Sequence, residues 1–263
     1  MNVFTDILAN FALQVLFTVG MIVLFGVIIG LCNKLFYYNF GNYGRTVCYI
    51  TGIIGTPLHE CAHALFCLIF GHRIDEIKLF EIGSDDGTLG YVRHSYNRRN
   101  FYQRIGNFFI GVAPIVVISA VLFLIAWLLM PEFVAEISTS FAFDDFAANF
   151  GNVFKSSGVV IVAFFSRIVT WQWWVFVIVG MFLALHMTLS KADINGALSG
   201  LLFVLAVFLV VDIVLGVIGS SVISGFTRGV TAVGGYMLCI FVLALAISVI
   251  AVIISFVFRA VRR

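Results

Sequence analysis

Residues 46–70 read TVCYITGIIGTPLHECAHALFCLIF. The stretch is long enough to cross a bilayer, which takes about 20 apolar residues. Yet it carries His59, Glu60 and His63 near its middle. On insertion scales, ionisable side chains at the centre of a span cost roughly 2.5–3.5 kcal/mol each, and they are rare there unless they serve a function. The rest of the chain identifies the solvent. Of 263 residues, 62% are hydrophobic and 11% charged, against about 25% charged in an ordinary soluble domain. Too few polar side chains exist to cover a water-facing surface, so the lipid bilayer is the expected partner. The net charge of +2 points to no nucleic-acid partner.

Apolar runs at 3–31, 46–70, 105–130, 171–189, 197–220 and 230–257 predict an all-α polytopic membrane protein of about six transmembrane helices. The whole of 1–263 is expected to form one integral membrane domain. The first run lacks a basic start and a small-residue cleavage site, so it is expected to stay as an anchor. Between the second and third runs, 71–104 is polar. There 76–82 and 88–96 flank the turn-rich Gly83-Ser-Asp-Asp-Gly87, which predicts a small membrane-associated β-hairpin. The acidic connection 131–167 is expected to hold an interfacial amphipathic helix over 141–154. Trp171, Trp173 and Trp174 suit a membrane–water boundary. Basic residues in the hairpin and in the Arg259, Arg262, Arg263 tail predict that both termini are cytoplasmic, in the plasma (cytoplasmic) membrane. The five cysteines form no CxxC pair and read as free, buried thiols.

His59 and His63 are four residues apart, so on a helix they stand on one face, one turn from each other. That spacing offers two imidazoles to one metal ion, with Glu60 beside them as a base for water rather than as a ligand. The pattern also arises by chance in soluble chains. Inside an apolar span, however, plain interhelical hydrogen bonding does not call for two histidines and an acid. Thr56 and Pro57 just upstream either open the helix or kink a longer one.

A catalytic zinc needs a third protein ligand and one open position. Phe66 and Ile69 occupy the positions where an extended Gly/His pattern would continue. Glu76, Glu81 and Cys67 remain candidates, Cys67 reading better as a packing residue. The stronger candidate is Asp193, in the polar break LSKADING at 189–196, with His186 as the alternative third ligand. Asp193 also suits capping of the following helix, and His186 suits an interhelical or orienting hydrogen bond.

These residues together resemble the site-2 protease family of intramembrane zinc metalloproteases. The resemblance rests on His59-Glu60-Cys61-Ala62-His63, the hairpin over 72–96, Gly106-Asn-Phe-Phe-Ile-Gly-Val-Ala-Pro114 and Asp193-Ile-Asn-Gly196. It covers a core of about 46–200, leaving 3–31 and 230–257 as additional helices. The third motif departs from the family pattern, lacking both proline and an adjacent Asp-Gly pair. The resemblance implies one zinc ion (Zn2+) on His59, His63 and Asp193, with Glu60 as the catalytic residue. It also implies that Pro114 shapes the approach of a substrate strand. Asn107 suits either substrate binding or helix packing.

The expected activity is hydrolysis of peptide bonds in or near transmembrane segments, by a zinc metalloendopeptidase acting on a transmembrane protein substrate. Two rivals stand beside it. One is a non-proteolytic metal-binding membrane protein, a sensor, scaffold or partner-binding module. The other is a metal transporter, which would need polar residues spread through the first, fifth and sixth runs.

Overall fold

The computed structural model describes residues 3–84, 87–140 and 151–262. In lipid every backbone N–H and C=O must find a partner within the protein, so long apolar runs fold as helices. The first run forms α1 (Val3–Val15), a π-helical turn (Leu16–Gly20) and α2 (Met21–Asn39) without interruption. A tight turn leads into α3 (Gly44–Ile69). After the hairpin come α4 (Phe101–Leu129), the short α5 (Pro131–Ser140), α6 (Gly151–Phe165) and α7 (Trp171–Ala184), and finally α8 (Lys191–Ile218) and α9 (Ser220–Val261). Among the described residues five helices are long and apolar enough to cross a membrane: Val3–Asn39, Gly41–Ile69, Phe101–Leu129, Lys191–Ile218 and Ser220–Val261. The chain is an all-α polytopic membrane protein with one small antiparallel sheet.

The fourth apolar run takes a different form from the others. α7 has 14 residues, about 21 Å at 1.5 Å per residue, short of the roughly 30 Å hydrocarbon core. The chain then leaves the helix at Leu185 and stays irregular until Ser190, whose hydroxyl caps α8 by accepting from Asp193 N–H. α8 therefore opens at Lys191, earlier than hydropathy alone suggested.

α9 runs parallel to the α1–α2 helix. Gln14 donates to Thr227, Phe25 stacks on Phe241, and Asn39 donates to Ser255. Val3 and Arg262 consequently lie at opposite ends of this pair, with Arg262 donating to the Phe40 carbonyl. The basic 98–104 segment also lies at the other end of α3 from Arg262, since Tyr102 Oη donates to the Ile69 carbonyl.

The hairpin pairs β1 (Arg73–Lys78) with β2 (Tyr91–Ser95) in the register Arg73↔Ser95 to Lys78↔Tyr91, with a bulge between Ile74 and Glu76. Its connection folds back along α3. A Cβ built on Gly52 would lie 3.0 Å from Phe80 and 3.2 Å from Leu89, and Arg45 donates to the Ser84 carbonyl. The hairpin thus reaches from the last turn of α3 to its first. Irregular backbone at membrane depth is tolerated where protein covers it, and α3 supplies that cover. The interfacial helix expected over 141–154 lies outside the described residues as far as 150; 151–154 open α6.

Trp171 and Trp174 are exposed, as a boundary position requires, but Trp173 is buried against Phe164. All five cysteines are free, and only Cys67 and Cys239 are buried. Asp212 in α8 is fully buried and accepts from Gln14 Nε2, which also donates to Thr227. This contact ties α1, α8 and α9 together.

Candidate metal centre

α3 runs unbroken through Pro57, so His59 and His63 keep their one-turn stacking, with ring centroids 4.9 Å apart. Each ring is fixed by a backbone carbonyl from another segment. His59 Nδ1–H donates to the His186 carbonyl at 2.9 Å, and His63 Nδ1–H donates to the Ile110 carbonyl at 2.8 Å. A carbonyl oxygen only accepts, so both Nδ1 atoms carry the proton. In the neutral rings both Nε2 atoms are then bare lone pairs.

Both carbonyls are free of the usual helical bond from the residue four positions on. Ile110 would ordinarily accept from the N–H four residues on, but that residue is Pro114, which has none. His186 lies in the irregular stretch after α7, where no helix claims its C=O.

Asp193 completes the group. It is the third residue of α8 and half of a capping box: Ser190 Oγ accepts from Asp193 N–H, and Asp193 Oδ2 accepts from Ser190 N–H at 2.7 Å. The carboxylate is thereby held with Oδ1 3.1 Å from His63 Nε2 and Oδ2 3.8 Å from His59 Nε2. Capping and proximity to the histidines, which looked like rival roles, are filled by the same side chain. Gly111 makes this approach feasible: a Cβ there would stand 2.5 Å from the Asp193 carbonyl oxygen.

The Nε2 atoms of His59 and His63 lie 3.2 Å apart, and the ligand atoms of His59, His63 and Asp193 are all within 4.8 Å of one another. Tetrahedral zinc with metal–nitrogen distances near 2.0–2.1 Å places neighbouring ligand atoms roughly 3.3 Å apart. Three electron-pair donors converging at that spacing repel one another unless a cation lies among them, so the donor set fits zinc.

Glu60 is buried and interacts electrostatically with His59 and Asp193. It has no hydrogen bond to a described residue, and the hairpin connection covers it: a Cβ on Gly90 would meet Glu60 Cγ at 2.8 Å. The remaining sequence candidates are placed elsewhere. The His186 ring turns away, with Nε2 3.1 Å from Thr51 Oγ1 and Nδ1 3.3 Å from Thr56 Oγ1; only its carbonyl serves the site. Glu76 binds Tyr91 and Arg93 on the hairpin surface, and Glu81 pairs with Lys78. Asn107 is buried in α4 one turn before Gly111. Pro114 is buried in the same helix and acts on the site through Ile110. Sequence reading missed the Ile110 and His186 carbonyls and the Ser190 cap. The cap had a local signal, a serine three residues before an acid, and Pro114 was a trace of the Ile110 carbonyl.

At the base of the hairpin His72 Nδ1 and His94 Nδ1 are 3.0 Å apart. Burial pushes both imidazoles below the ordinary histidine range, and at His94 the neighbouring His72 and His63 add to the effect.

Residues 52–156 match the model of a protein family described as "Putative zincin peptidase". The match supports a zinc-metallopeptidase relation. It contains His59, Glu60 and His63 and ends before Asp193. Zinc is the cofactor that the family description implies. Neither the curated proteins nor the solved structures compared with the chain give a match.

Proposed function

We propose that the protein is an intramembrane zinc metallopeptidase of the site-2 protease type, cleaving peptide bonds in or near transmembrane segments of other membrane proteins. The observation that carries this reading is the convergence of His59, His63 and Asp193, from two helices of spanning length, on one spot beside Glu60.

Bound there, zinc would supply Lewis-acid chemistry, polarising a substrate carbonyl and acidifying water. The residues of the chain do the rest. The Ile110 and His186 carbonyls hold the two imidazoles in the tautomer that presents Nε2. The Ser190 N–H holds the Asp193 carboxylate in place. Glu60 accepts a proton from water at its carboxylate and returns it to the leaving amine. The Gly90 segment over Glu60 limits bulk water on that side.

A largely apolar cavity of about 580 Å³, lined by Gly26, Gly30, Phe108, Val112, Ile194 and Leu198 among others, lies near the site without including His59, Glu60, His63 or Asp193 in its lining. It borders the start of α8, which carries Asp193. An unwound substrate segment would dock along the hairpin as an added strand, since two-stranded sheets leave their edges unpaired.

The test compares wild type with Glu60→Gln in proteoliposomes holding a model transmembrane substrate. Both should bind zinc, and only wild type should cleave, with the variant slower by about 10²–10⁴-fold. Zinc in both with cleavage in neither would refute the proteolytic reading.

A further inference from the structure

A second group of metal-ligating side chains lies one turn beyond the first. α3 ends in a Schellman motif: Gly71, at φ +67°, donates its N–H to the Leu68 carbonyl, and His72 N–H donates to the Cys67 carbonyl at 2.8 Å. In that motif the residue after the glycine ordinarily makes an apolar contact with the residue five positions earlier. Here those two positions are His72 and Cys67, so the turn that stops the helix brings an imidazole to a thiol. The hairpin then returns His94 to the same spot. One ligand atom from each of Cys67, His72 and His94 lies within 4.8 Å of the others.

The His72 tautomer is set from outside the group. Its Nε2–H donates to the Gln103 carbonyl at 2.8 Å, leaving Nδ1 as a lone pair facing His94 Nδ1 at 3.0 Å. A histidine that ligates a metal almost always gives its other N–H to a carbonyl or carboxylate in this way. Tyr96 stacks on His72 with ring centroids 5.0 Å apart and fixes the ring plane. Cys67 is fully buried and His72 nearly so. One thiolate and two imidazoles suit zinc or another borderline-soft cation rather than magnesium or calcium.

We propose that Cys67, His72 and His94 form a second zinc site, separate from the His59–His63–Asp193 group. It joins the last turn of α3 to the residue that leads into β1, to β2 and, through Gln103, to α4. Its role is to hold the hairpin against α3, and so to keep the Gly90 segment on Glu60. The proposal does not depend on proteolytic activity.

The test uses detergent-purified full-length protein. Zinc is counted in wild type, Cys67→Ser, His94→Gln and His63→Ala, and each is then reloaded with Co²⁺. Wild type should hold two ions per chain, and each variant should hold one. The cobalt form of wild type and of His63→Ala should show a thiolate-to-metal charge-transfer band, because only the second group contains sulfur; Cys67→Ser should lack it. A wild-type cobalt form without that band would overturn the proposal even if a variant misfolds. A single ion in wild type that Cys67→Ser retains would do the same. Loss of the ion in His63→Ala, or its retention there, reports separately on the first site.

Discussion

Pro114→Ala tests whether α4 serves the metal centre through a missing hydrogen bond. Alanine at 114 restores an N–H aimed at the Ile110 carbonyl, which Pro114 leaves to the His63 Nδ1–H at 2.8 Å. The substitution removes a residue that disfavours helix interiors by about 3 kcal/mol relative to alanine, the missing hydrogen bond included. The metal-free protein should therefore unfold at the same temperature or higher. The His63 bond must then share its acceptor, so the imidazole loses orientation and basicity. Loss of such an outer partner lowers metal affinity about 10–100-fold. The Ile110 oxygen keeps a second lone pair, which places the expectation at the lower end, about 10-fold or 1.4 kcal/mol. Competition titration against a zinc chelator measures the affinity, and thermal unfolding of the stripped protein measures stability. The expected signs are opposite. Unchanged zinc affinity in a folded variant would refute the link between Pro114 and His63. A parallel fall in both quantities would show that the proline matters for packing alone.

Other residues give simpler expectations. Gly111→Val puts a side chain 2.5 Å from the Asp193 carbonyl oxygen; overpacking of this kind costs about 1–3 kcal/mol, and zinc affinity should fall with stability. Ser190→Ala removes the hydroxyl of the capping box; stability should drop by about 1 kcal/mol, with a measurable loss of zinc affinity as Asp193 loosens. Gln14→Leu leaves the buried Asp212 without its donor; unfolding should become easier by about 1–3 kcal/mol, while zinc content stays at the wild-type value.

The site and the fold were legible to different degrees. His59, Glu60 and His63 could be read together because a helix fixes the relation of residues one turn apart. Asp193 was legible only as a polar break in an apolar chain. Its approach to His63 depends on Gly111 and on the angle at which α8 leaves the α7 break. The orienting carbonyls of Ile110 and His186 were invisible, because a backbone oxygen has no signature in the sequence; Pro114 was a trace of the first. The local pairing of the basic hairpin residues, Arg73 with Asp75, Lys78 with Glu81 and Arg93 with Glu76, was not legible either, since counting charges does not show which acid each one meets.

Composition alone determined the solvent, and with it the helices, since lipid leaves the backbone no other economical way to satisfy its hydrogen bonds. The i, i+4 spacing alone determined that two imidazoles would share a face. Tertiary structure decided everything that crosses between helices: which carboxylate meets those imidazoles, which carbonyls hold their protons, and how far the hairpin runs along α3. It also brought Cys67, His72 and His94 together, residues 27 positions apart at the extremes, of which only Cys67 had suggested a ligand, and that for the first site. Long-range contacts of this kind follow from close approach at small residues and from breaks in helices, and neither can be measured along the chain.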